Sequence, residues 1–115
     1  MRQHTSDGYW TAMLRGGLAK VFLLQALREG PGHGYALAGR VELMTQGFCS
    51  PSQASVYPSL RELESDGCVE HRVEATGRRR RKVYTLTPRG RQALRAAVSA
   101  WEDGLAVIRR VVSRT

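Results

Sequence analysis

An α+β, mainly α fold is predicted by three observations: three helices and a β-hairpin followed by one long closing helix. Residues 52–67 (SQASVYPSLRELESDG) set Val56, Leu60 and Leu63 at i, i+4 and i+7, one face of a short helix. Val69, His71 and Val73 then alternate with Glu70 and Arg72, the period of a strand, and the chain runs on through five consecutive cations, Arg78, Arg79, Arg80, Arg81 and Lys82. Finally Leu94, Val98, Trp101, Leu105, Ile108 and Val112 step by 4, 3, 4, 3, 4, a heptad seam over nearly three repeats.

Length and charge narrow what such a fold does. A chain of 115 residues with 42% hydrophobic composition supports one compact domain. Its net charge of +8 and pI near 10.5 favour a polyanionic partner, because each phosphate neutralised by Lys or Arg releases condensed counterions. An anionic membrane surface satisfies the same arithmetic. The charge is focused, however: between Thr76 and Trp101 there are eight Lys or Arg residues and no carboxylate. A charge run is ordinarily a solvated face; placed straight after a strand, this one reads as a footprint. No run of eighteen apolar residues occurs and the opening MRQHTSDGYW has no apolar core, so a cytoplasmic protein without membrane partner is expected. Cys49 and Cys68 match no common zinc spacing and cannot build a disulfide framework. They read as small buried side chains, with a thiol pair sensing metal or oxidant as the alternative; no metal site and no cofactor are expected.

In chain order, residues 1–11 are polar and aperiodic and are expected to form a flexible arm. From Ala12 to Arg28, Leu14, Leu18, Val21, Phe22, Leu24 and Leu27 recur at helical spacing, with Leu23 and Ala26 widening the apolar surface so that more than one side asks for burial. Glu29-Gly30-Pro31-Gly32 ends that helix. A second helix starts near His33-Gly34-Tyr35 with Leu37, Ala38, Val41 and Met44 inward and Arg40 and Glu42 turned away, and stops around Gly47. Ser52 is the expected N-cap of the third helix, and Pro58 removes one of its backbone donors. Val69, His71 and Val73 are expected on one face of the first strand, Ala75-Thr76-Gly77 and the arginine run at the hairpin tip, and Lys82–Leu86 as the return strand with Tyr84 and Leu86 inward. Thr87-Pro88 opens the last helix, Thr as N-cap and Pro at the first position. The order is that of a winged helix-turn-helix, three helices plus a β-hairpin wing, over residues 12–87, with a long C-terminal dimerisation helix over 88–115.

The last helix, at 1.5 Å per residue about 37 Å long, is longer than a three-helix head can cover. Its seam, Leu94, Val98, Trp101, Leu105, Ile108 and Val112, is therefore expected to meet a second copy, giving a homodimer that offers two third helices to a pseudo-palindromic double-stranded DNA site. The outward face of the third helix carries Ala54, Ser55, Tyr57, Pro58, Arg61 and Glu62. Arg61 or Gln53 is suited to base edges, and Ser52, Ser55 and Tyr57 to phosphates. Arg78–Lys82 would follow the backbone or enter an adjacent minor groove. An RNA-binding module shares the basic pI but has no need of a heptad seam, and the aromatics of an exposed RNA-binding sheet are lacking. An enzyme is not expected, since no Ser-His-acid set and no Gly-rich phosphate loop after a strand occur. A protein-interaction module, its cations serving only solubility, is the third class. His33 reads as a turn histidine and His71 as a packed strand residue.

Leu24 to Gly30, Pro31, His33-Gly34-Tyr35, Ser52 with Val56-Tyr57-Pro58-Ser59-Leu60, Leu63-Glu64, Asp66-Gly67, Arg80 to Leu86 and Thr87-Pro88-Arg89-Gly90 together resemble the PadR family of bacterial transcriptional regulators. The similarity covers about residues 14–112, and the single helix after the hairpin resembles the shorter subfamily. The resemblance implies a winged-helix repressor, dimeric through its last helix and released from its operator by a small effector. It assigns Tyr35, Ser52, Gln53, Ser55, Tyr57, Arg61 and the wing cations Arg78, Arg79, Arg80, Arg81 and Lys82 to DNA-facing positions. It also implies that Trp101, matching a tryptophan that lines a pore at the dimer interface, stacks with flat aromatic effectors, with Leu105, Leu18 and Met13 as neighbours. The position one turn after that tryptophan is an acid in the multidrug-binding members and Leu105 here, a departure from a site for planar cations. Read without the resemblance, Trp101 is a seam residue that packs.

Overall fold

The computed structural model describes residues 3–112. After a 3-10 turn over Gln3–Thr5 come helices α1 (Asp7–Glu29), α2 (Gly34–Met44) and α3 (Gln53–Ser65), strands β1 (Val69–Thr76) and β2 (Arg79–Leu86), and helix α4 (Pro88–Val111). No helix among the described residues is long and apolar enough to cross a membrane.

The first helix starts at Asp7, five residues ahead of Ala12, so most of the segment expected as an arm is helical; Met1 and Arg2 lie outside the described residues. Ser6 caps it, its hydroxyl accepting from the Gly8 N–H at 3.1 Å, and Asp7 sits in the first turn where the helix dipole favours a carboxylate. Trp10 donates its indole N–H to the His4 carbonyl at 2.9 Å, and Tyr9 stands edge-on to both rings. Apolar periodicity missed these turns because their stability is in capping and aromatic contacts, not in burial.

The core is assembled from the C-terminal half of α1 (Leu23, Leu24, Ala26, Leu27), Leu37 and Val41 of α2, Val56, Leu60 and Leu63 of α3, and Val69, Tyr84, Leu86 and Leu94. Arg40 is not turned away. Its guanidinium caps the end of α1, donating from Nη1 to the carbonyls of Ala26 at 2.7 Å and Gly30 at 2.8 Å and from Nη2 to that of Pro31 at 3.3 Å. The carbonyls left open where α1 stops attract a cation strongly enough to bend this side chain inward. Replacing Arg40 by Met keeps the aliphatic stem and strands those carbonyls, and is expected to lower the unfolding free energy by about 2 kcal/mol, read by urea denaturation.

The two strands pair antiparallel from Val69↔Leu86 to Thr76↔Arg79, leaving Gly77-Arg78 as a two-residue turn with Gly77 at φ 62°, where such hairpins favour glycine. The cation run is therefore not the tip: only Arg78 is in the turn, and Arg79–Lys82 are strand residues. Along β1 only Val69 is buried, while Val73 is exposed and His71 contacts Glu64 and the Tyr84 ring. Of the strand face that carries Val69, His71 and Val73, only the first member is buried, because the hairpin projects past the head. A bridge on the other edge of β2, Gly32 N–H to Tyr84 O at 3.1 Å and Tyr84 N–H to Gly32 O at 2.9 Å, fixes the wing to the start of α2.

Candidate nucleic-acid interface

Helix α3 buries Val56, Leu60 and Leu63, so Ala54, Ser55, Tyr57, Pro58, Arg61 and Glu62 are left exposed, as the spacing predicts, and so is Gln53. Ser52 occupies the N-cap position without a side-chain cap bond; Ser55 instead donates to the Ser52 carbonyl at 2.9 Å. Facing that surface, the bridge at Gly32 draws β2 against the first turn of α2. Between them lies a groove of about 650 Å³ lined by Gln53, Tyr57 and Arg61 of α3, His33 and Tyr35 at the start of α2, and Arg79, Arg80, Arg81, Lys82 and Tyr84 of β2.

Three local features shape it. Gly34 lets Tyr57 lie flat on α2: a Cβ at Gly34 would come within 2.6 Å of the Tyr57 ring. Tyr35 is 68% exposed, its ring 6.5 Å from that of His33 at 26°. His33 caps α2 through Nδ1, which accepts the Ala36 N–H at 3.3 Å, and turns Nε2 into the groove 3.1 Å from Nη1 of Arg81. The cations are electrostatically unspent. Glu74, the cross-strand neighbour of Arg81, is held by Arg72 at 2.8 Å, and among the described residues none of Arg78–Lys82 pairs with a carboxylate.

Of the residues singled out in the sequence, Tyr35, Gln53, Tyr57, Arg61, Arg79, Arg80, Arg81 and Lys82 thus converge on one groove, while Arg78 stands at the turn outside it. Ser52 and Ser55 line a separate depression beside Arg15 and Lys20. His33, read from the sequence only as a turn histidine, joins the residues of the groove. Its cap geometry and the Gly32 bridge, both tertiary, bring it there.

The other candidate surface is the seam. Helix α4 runs back along α1, where Gly17 leaves room for Trp101: a Cβ on that glycine would lie 2.9 Å from the indole. Leu94 is buried in the protomer's own core, so the first position expected at the dimer interface is largely used within the chain. From Val98 onward the seam is exposed, Trp101 by 39% and Ile108 by 57%. Trp101, Leu105 and Leu18 share an apolar groove of about 510 Å³ with Leu14 and Ile108; Met13 is exposed and does not line it, and Glu102 does.

Cys49 and Cys68 are buried, and burial pushes both thiols above their ordinary pKa, for Cys68 with the Asp66 carboxylate adding to the effect. A protonated thiol is a poor nucleophile and a poor metal ligand. Among the described residues no group of three His, Cys, Asp or Glu side chains is placed to hold a metal ion.

Three helices, a hairpin anchored beside the second of them and a long trailing helix define a winged-helix regulator. Residues 23–96 match the model of the transcriptional regulator PadR-like family, and the chain belongs to that family. It is 33% identical over 78 residues, 68% of its own length, to the transcriptional regulator YqjI of Escherichia coli K12, of which it spans only 36%. A PadR family transcriptional regulator from Eggerthella lenta superposes with a TM-score of 0.76 at 28% identity, covering 91% of this chain and 93% of that one. A transcriptional regulator from Clostridium thermocellum, at 23% identity, shares the fold with a TM-score of 0.77 over 87% and 98% of the two chains. Bacillus subtilis PadR, solved in complex with operator DNA, is similar with a TM-score of 0.64 at 29% identity, over 70% of this chain and 46% of that one. The family is one of transcriptional regulators, not of enzymes.

Proposed function

We propose that the chain is a homodimeric repressor in the cytoplasm that binds a pseudo-palindromic DNA operator through the groove between α3 and the wing and leaves it when a small aromatic effector binds. The observation that carries this is the convergence of the exposed α3 face with a strand of unpaired cations in one open cleft. In it Gln53 and Arg61 are suited to base edges, and Tyr35 and Tyr57 to phosphates. Arg79–Lys82, with Arg78 at the turn, supply sequence-tolerant attraction, and Ser52 and Ser55 meet the backbone on the flank. The operator complex of Bacillus subtilis PadR supports the same use of the fold.

Residues 12–87 act as the reading head and α4, Pro88–Val111, as the dimerisation helix; the last three residues of the segment 88–115 lie outside the described residues. Val98, Trp101, Leu105, Ile108 and Val112 would be covered by a second copy, and Leu94 only at its edge. Burying such a stripe is favourable by about 25 cal/mol per Å² of apolar surface. Trp101, Leu105 and Leu18 would form the effector site at that junction; a Trp101 that only packs is the second reading, favoured by its contact with Gly17. A gel shift against the DNA upstream of the chain's own gene is the direct test. Binding that survives a salt concentration abolishing non-specific complexes is expected, and its absence refutes the reading. For the dimer, Leu105→Glu combined with Ile108→Glu is expected to turn a dimer into a folded monomer in sedimentation equilibrium and to lose the affinity gained from two half-sites. A wild-type chain already monomeric at high concentration contradicts it.

A further inference from the structure

His33 stands between two donors. Its Nδ1 accepts the Ala36 N–H at 3.3 Å, and its Nε2 lies 3.1 Å from Nη1 of Arg81. A guanidinium has only N–H groups to offer, and a neutral imidazole has one lone pair in the ring plane. If that lone pair serves Ala36, the ring hydrogen is on Nε2 and meets another N–H. If the tautomer is reversed, Nε2 accepts from Arg81 and the first turn of α2 loses its cap. Either way two N–H groups of the free protein face each other, and within the protein neither finds an acceptor in the other. An oxyanion seated between Nε2 and Nη1 removes the conflict by accepting from both.

The surroundings name the source of that oxyanion. The groove has no carboxylate in its lining, Glu74 is engaged by Arg72, and Arg79, Arg80 and Lys82 continue the positive charge along β2. We infer that His33 and Arg81 form a clamp for one DNA backbone phosphate, His33 donating from Nε2 as a neutral imidazole and Arg81 supplying the charge. The inference rests on the DNA-binding reading above and adds to it a residue whose ordinary explanation is the helix cap alone. It has a signature. A neutral donor strengthens binding without displacing a counterion, so its loss lowers affinity and leaves the salt slope alone, whereas loss of Arg81 lowers both.

His33→Asn separates the two roles, since asparagine is a good N-cap and has no atom that reaches the Nε2 position. Binding to a duplex from the upstream region, followed by fluorescence anisotropy over a range of salt, is expected to weaken about tenfold in His33→Asn at unchanged slope. In Arg81→Gln the slope should fall by about 0.9. The double variant should be barely weaker than Arg81→Gln, because both residues hold one phosphate. Wild-type affinity in His33→Asn, a reduced slope in that variant, or additive losses would each overturn the clamp. Nitrogen-detected imidazole NMR of the free wild-type protein gives an independent reading. The Nε2–H tautomer is expected at neutral pH, and the Nδ1–H tautomer in a protein that binds duplex overturns the clamp and leaves the DNA reading standing. A wild-type protein with the Nε2–H tautomer that binds no duplex overturns the DNA reading, and the clamp falls with it.

Discussion

With Arg79, Arg80 and Arg81 all replaced by glutamine, binding to the operator and to unrelated duplexes is expected to weaken by a similar factor, on the order of 100- to 1,000-fold. The slope of log K against log salt should become shallower by about 2.7, three contacts at about 0.9 each. All three side chains are exposed and line the groove, and no carboxylate among the described residues holds them, so their removal takes charge from the interface and none of the described ion pairs from the fold. The melting temperature should therefore stay within about 2 °C of wild type. Uniformity across sequences is the informative part. Phosphate contacts set affinity and register, and only base-edge contacts discriminate, so a substitution at Gln53 or Arg61 should instead change the ratio of specific to non-specific binding. An unaltered salt slope in the triple variant would mean that β2 faces away from the duplex.

That the cations could be recognised as a footprint, yet misplaced along the hairpin, shows where sequence patterns stop. Periodicity reports burial. It located α2 and α3, found the outward face of α3 from Val56, Leu60 and Leu63, and recovered the start of α4 from Thr87-Pro88, because those features follow from one face meeting a core or from capping chemistry. It failed wherever a residue is held by polar contacts. Arg40 is bent into the α1 terminus by three carbonyls, Ala26 in the last turn of α1 and Gly30 and Pro31 just past it, and His33 enters the groove because a bridge between Gly32 and Tyr84 draws the wing to it. Arginine runs have no side-chain period, so the four arginines could be assigned to a tip although three of them extend β2. The seam was legible as a heptad, but its division could not be: Leu94 goes to the protomer's own core, and the exposed part begins at Val98.

The largest effect on stability is expected at Gly90. A Cβ there would press into the Cys68 carbonyl oxygen and the Leu86 Cδ1, with Leu86 Cγ at 3.0 Å. Neither neighbour can yield. The Cys68 carbonyl accepts the Thr87 N–H at 3.1 Å, and Leu86 is a buried member of the core. Thr87 closes the same junction, donating its hydroxyl to the Gly67 carbonyl at 2.6 Å and accepting from the Gly90 N–H at 3.1 Å. Helix α4 thus begins in backbone contact with the start of β1, and only a residue without a side chain fits between them. Gly90→Ala should cost more than about 3 kcal/mol, a large share of the 5–15 kcal/mol typical of a domain. The expected drop in melting temperature is on the order of 10–20 °C. Gly39→Ala is the control: its Cβ meets nothing within 4 Å, so alanine in that helix should raise stability by up to about 1 kcal/mol. Equal melting of Gly90→Ala and wild type would mean that α4 does not dock as described. The junction matters beyond stability, because through it the start of the seam helix is hydrogen-bonded to the base of the wing. On the dimeric, effector-responsive reading proposed above, a change in spacing between two α4 helices would be passed to the reading heads through this junction, and a loosened Gly90 variant that still folds should bind the operator while responding more weakly to a ligand at Trp101.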